Sequence, residues 1–115
     1  MLFRSPEIPQ SYYYLALARI SGQRLMSMPM NEVREIERFV TTAAQLDSES
    51  PVFKLLLAVI KGDYYESNGL SVTPPTAEIL LGEIGGAQID RSEMERLRQC
   101  VLIRDEVFFE NVRVS

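Results

Sequence analysis

The chain has 115 residues, of which 46% are hydrophobic and 24% charged, and its formal net charge is −4. This is ordinary globular usage and enough chain for one domain (1–115) with its own core, so no disulfide or structural metal is needed to hold it. The acidic balance argues against a protein that wraps nucleic acid on a basic face. The complete absence of histidine removes the commonest general base and the commonest transition-metal ligand together.

Residues 1–10 carry Arg4, Pro6, Glu7 and Pro9 and no apolar run, so no signal peptide is expected there. From Ser11 to Ser27 the chain reads as a helix, with Tyr13, Tyr14, Leu17, Ala18 and Ile20 on adjacent stripes. Pro29 interrupts it among Met26, Met28 and Met30, flexible side chains suited to filling a gap between helices. Asn31 is the expected cap of a second helix whose apolar positions, Val33, Ile36, Val40 and Ala43, step by three, four and three. Its other face, with Glu32, Arg34, Glu35, Glu37 and Arg38, is expected to be solvated.

Ser50-Pro51 is a start signal, with proline at the first helical position. The third helix, 51–67, is apolar nearly all round, from Val52 through Ile60, and is therefore expected at the centre of the domain. Asn68-Gly69 ends it. Pro74-Pro75 precedes a short fourth helix with Ala77, Leu80, Leu81 and Ile84, stopped by Gly85-Gly86. Asp90 with Glu93 has capping-box spacing, and Ile89 with Met94 that of a hydrophobic staple. The fifth helix is expected to run to Phe109, making 89–109 a C-terminal cap.

The segment from Leu15 to Gly22 returns forty residues later as Leu55 to Gly62, with leucine, leucine, alanine, isoleucine and glycine in register. A fixed offset of this kind is the mark of a helical repeat. The two helical hairpins, 11–50 and 51–85, resemble tetratricopeptide repeats. Tyr14, Leu17 and Ala18 sit at that family's large, leucine and small positions, and the close from Thr42 to Pro51 is similar to its usual ending. The forty-residue offset is longer than the family's ~34, and Met26–Met30 and Gly69–Thr73 would carry the extra residues. The resemblance covers roughly 11–85. It implies a groove lined by the first helix of each pair that binds peptides or partner proteins, and it implies no chemistry.

The residues themselves point the same way. Cys100 is alone and lies in a helical pattern, which reads as a reduced, packed thiol and a cytoplasmic setting. Gly82, Gly85 and Gly86 terminate a helix and do not form a phosphate loop. Glu106 and Glu110 stand one turn apart with no loop to gather the oxygens that calcium needs. The serines lack a base. No catalytic residue, metal site or cofactor is therefore expected. The longest apolar run, Leu55–Ile60, is far below the ~20 residues of a membrane span.

Tyr12, Tyr13 and Tyr14 cannot share one core, because neighbours on a helix point about 100° apart. Tyr64 and Tyr65 repeat the problem at the end of the third helix. Tyrosine suits interfaces, so Tyr12, Tyr13, Arg19, Tyr64 and Tyr65 are the candidate partner-binding residues, with the Tyr12–Tyr14 end the favoured site. The sequence thus reads as an all-α chain of about five helices in antiparallel hairpin pairs, a repeat-like bundle or short solenoid. Its expected role is a non-catalytic adaptor that binds another protein or peptide, or a second copy of itself. Two alternatives remain. One is a helix-turn-helix DNA reader over 76–99 using Arg91, Arg96 and Arg98, against which Glu93 and Glu95 count. The other is a small enzyme or a subunit of an enzyme complex.

Overall fold

The computed structural model describes residues 8–102, 106–109 and 112–114. It is an all-α bundle, as expected. The helices are α1 (Pro9–Ile20), α2 (Met30–Leu46), α3 (Pro51–Val59, continued as a π-helix over Ile60–Glu66), α4 (Ala77–Ile84) and α5 (Arg91–Cys100). Two-residue strands β1 (Gln88–Ile89) and β2 (Arg113–Val114) pair in parallel, Gln88 with Arg113 and Ile89 with Val114. No helix among the described residues is long and apolar enough to cross a membrane.

Helices α1 and α2 form the first hairpin, α3 and α4 the second. Helix α3 also packs on α2, and α5 closes over both α1 and α3. The buried apolar residues make one continuous cluster from Tyr13 to Phe108. Seven of the nine residues of α3 are buried, Val52, Phe53 and Leu55 through Val59, so the helix that is apolar all round is the central one. Each stripe of α3 meets a different neighbour, which is why no polar face was selected on it.

Helix α1 starts at Pro9, not Ser11, with proline in its first turn, and three further boundaries differ from the sequence reading. Helix α1 stops at Ile20, not Ser27, because Ser21 and Gly22 both take positive φ, 42° and 80°. A right-handed helix cannot continue through two such residues. The Gly22 amide then donates to the Cys100 carbonyl at 2.6 Å and ties the end of α1 to the end of α5. Helix α2 starts before Asn31: the Pro29 carbonyl accepts from the amides of Glu32 and Val33 at 3.1 Å each, so Asn31 lies in the first turn and does not cap it. Helix α5 ends at Cys100 and does not reach Phe109. Val101 takes an extended conformation (φ −121°, ψ 119°) and is 1% exposed. Burying that side chain draws the backbone out of the helix, and residues 106–109 form a separate 3-10 turn.

That turn explains a glycine inside a helix. A Cβ on Gly62 would stand 2.6 Å from Cζ of the Phe108 ring and 3.7 Å from the Ala77 Cβ. The ring therefore occupies the place a side chain would take. Beyond Gly62 the helix is wider than an α-helix, with the Ser67 amide bonded to the Gly62 carbonyl at 3.2 Å and the Leu70 amide to the Tyr65 carbonyl at 2.8 Å. π-helical turns of this kind are frequent at functional sites.

The two copies of the forty-residue repeat lie in different surroundings. Leu17 and Leu57, and Ile20 and Ile60, are buried in both. Leu15 is 50% exposed where Leu55 is fully buried, and Ala18 is exposed where Ala58 is buried. The reason is position: α1 lies at the edge of the bundle, whereas α3 is covered on every side.

Candidate functional site: a polar groove along the second helix

The five candidate residues do not come together. Tyr13 is fully buried, its ring 4.9 Å from that of Phe53 and 5.7 Å from that of Tyr14. Burial pushes its phenol far above the usual range, and its hydroxyl has no hydrogen-bond partner among the described residues. Tyr64 is 5% exposed, edge-on to Tyr65 at 5.3 Å. Tyr13 and Tyr64 are thus core residues of the single chain, not surface ones. Helical geometry forces the choice, since of consecutive tyrosines only one can take the inward position.

Tyr12 and Tyr65 are half-buried and Arg19 is exposed. Arg19 pairs with Glu35 of α2. The Tyr65 hydroxyl donates to Glu37 Oε1 at 2.6 Å. Glu35 and Glu37 are two residues apart on α2 and so point about 200° apart. Arg19 and Tyr65 therefore flank α2 from opposite sides, and one patch cannot hold both. Tyr14, the exposed member of its triplet, joins α1 to α5. Its hydroxyl donates to Glu93 Oε2 at 3.2 Å and accepts from Arg96 Nη1 at 3.0 Å, and the guanidinium lies 4.9 Å from the ring centre. Arg98 lies 4.1 Å from the centre of the Phe109 ring. Two of the three arginines of the helix-turn-helix reading are engaged within the chain.

The Tyr65 side of α2 carries the more developed site. An open groove of about 940 Å³ runs between α2 and the segment after Gly69, lined by Met30, Arg34, Glu37, Arg38, Tyr65 and Thr73 among others. Glu37 was expected on a solvated face, yet its side chain is only 16% exposed and it pairs with Lys61 Nζ at 2.9 Å. The Lys61 side chain is 3% exposed. The same ammonium donates to the Thr73 carbonyl at 2.8 Å and to Thr73 Oγ1 at 3.2 Å. Three protons meet three acceptors, the condition under which a buried lysine is tolerated.

Glu37 accepts from Lys61 on one oxygen and from Tyr65 on the other. Burial, and then the hydrogen bond to this carboxylate, push the Tyr65 phenol up to about 12; a side-chain hydrogen bond with Arg34 works against them. Replacing Tyr65 by Phe is thus expected to remove a phenol that ionises well above ~10, the ordinary value. Difference absorbance of the phenolate, wild type against variant, measures it. Because the folded value is the raised one, the stability it reflects is complete below pH ~10 and is lost as pH rises through about 12. A lost phenol titrating at the ordinary value would contradict the Glu37 bond.

Comparison with protein-family models, with curated proteins and with solved structures finds no match. What the groove can do is read from its own chemistry. Its floor is an acid, a base and a phenol that satisfy one another. Among the described residues no three metal-ligating side chains gather. Of the sequence candidates only Tyr65 lines it. Lys61, Glu37, Arg34 and Thr73 were missed, and one signal could have found them. Lys61 directly follows the apolar run Leu55–Ile60, and a lysine there must be paired if the helix is central.

Proposed function

We propose that this chain is a non-catalytic protein–protein interaction module acting in the cytoplasm, and that it holds a segment of its partner in the groove along α2. The observation that carries this reading is the division of the groove into a saturated floor and an open rim. Lys61, Glu37 and Tyr65 spend their hydrogen-bonding capacity on one another and on Thr73, which makes the floor rigid and leaves no idle base. The rim offers Met30, 37% exposed, with exposed Arg34 and Arg38 and half-buried Tyr65. Methionine, arginine and tyrosine are residue types enriched at protein interfaces. The tetratricopeptide-like hairpin pattern supports a binding role as well, although this groove follows the second helix and not the first helices.

Screening the purified chain against a peptide array, then mapping each binder by amide chemical shifts, tests the proposal. Binders are expected to perturb Asn31, Arg34, Thr41 and Tyr65 and to leave Ala18 on α1 unmoved. An array without binders, or perturbations confined to the α1 face around Leu15 and Ala18, would sink it.

A further inference from the structure

On the reading that the groove binds a partner segment, we infer that the segment is an extended, acidic peptide with carboxylates at alternate positions, read by Arg34 and Arg38. Among the described residues lining the groove Glu37 is the single carboxylate, and Lys61 beneath neutralises it. Arg34 and Arg38 therefore leave the groove positive, in a chain whose net charge is −4. They stand one turn apart on α2, a like-charge spacing that disfavours the free helix. Arg38 forms no ion pair among the described residues, and Arg34 reaches only the Tyr65 hydroxyl. The other acids of α2 point elsewhere; Glu35, for instance, is held by Arg19. The rest of the lining, Asn31, Thr41, Thr42, Ser71 and Thr73, supplies amide and hydroxyl groups that suit a peptide backbone and further oxygens.

Geometry sets the pattern. Residues four apart on a helix rise ~6 Å, and alternate residues of an extended strand, which share a face, are ~6.6 Å apart. Two carboxylates at alternate positions can therefore meet Arg34 and Arg38 at once, whereas adjacent carboxylates point to opposite faces. From Met30 to Thr42 the helix rises ~18 Å, room for about five extended residues. The smaller cleft beside Gln10 and Phe53 is lined by Asp90 and Glu93 and has the opposite sign.

Three acetylated, amidated pentapeptides test the inference by chemical-shift titration of the whole chain. They are Ser-Glu-Ser-Glu-Ser, its isomer Ser-Glu-Glu-Ser-Ser, and Ser-Lys-Ser-Lys-Ser. The first is expected to bind at the groove about ten-fold more tightly than the lysine peptide, and measurably more tightly than its isomer. Its affinity should fall as salt rises. Arg34→Glu with Arg38→Glu should abolish the preference, and both residues are exposed, so the fold should survive. Arg38→Gln alone, expected to weaken binding several-fold, serves if the double variant melts early. Equal binding of all three peptides in the groove, or array binders of neutral or basic sequence seated there, overturns the acidic reading and leaves the interaction module standing. Absence of any groove-mapped binder in the array overturns both.

Discussion

Replacing Lys61 with alanine is expected to destabilise the domain by about 3–5 kcal/mol, the usual cost of removing one partner from a buried ion pair. Lys61 contributes more than charge. Its ammonium fastens Glu37 of α2 to the Thr73 backbone, so the variant leaves a carboxylate in a mostly buried site and unties the segment that forms one wall of the groove. A domain of this size has roughly 5–15 kcal/mol of stability in all, so the loss should be plain in a denaturant melt. A second variant separates pairing from packing. Lys61→Met combined with Glu37→Gln removes both charges at similar volume and should recover most of the loss. A single-variant loss below about 1 kcal/mol would mean that water already reaches the pair, and the saturated floor would no longer support a binding role.

Leu57→Ala should cost about 2–5 kcal/mol, the transfer term of the side chain plus the cavity it leaves. Leu57 is 3% exposed and sits near the middle of the continuous helix formed by α3 and its π-helical extension, and α2, α4 and α5 all bear on α3. A helix gripped by three others cannot shift to close a void on one side without opening one on another, which places the expected value away from the low end. Leu15→Ala is the matching control. It is the same residue type in the same repeat motif, but half exposed, and surface changes usually stay within ~0.5 kcal/mol. Equal effects at the two sites would mean that α1 is covered in solution, as it would be in a self-associated form. Sedimentation velocity would then show that self-associated form directly.

Legibility followed the range of the forces. Val33, Ile36, Val40 and Ala43 announce α2 and its inner face because periodicity is a property of neighbouring residues; all four are fully buried. Gly85 takes φ +51° and ends α4, and the Asp90 side chain accepts from the Ser92 amide at the start of α5; both were evident from their immediate neighbours. The Glu93 half of the capping box was legible but is used otherwise, since its carboxylate meets Tyr14 and Arg96. A tertiary partner outbid the local one.

The amino-acid sequence alone determined the all-α class, the five helices, the central place of α3 and most of the starts and stops. These follow from spacing, capping and backbone sterics, which act within a turn or two of chain. Only the tertiary structure decided which tyrosine of each run turns inward, that α5 gives way at Val101, and that Glu37 leaves the solvated face to meet Lys61. A side chain on a helix has one direction but many conceivable neighbours. Whether a carboxylate faces water or an ammonium 24 residues away in the chain depends on how two helices cross. The groove is the product of such a crossing: two arginines that look like ordinary surface charge on α2 become a positive rim because Lys61 has cancelled the acid between them.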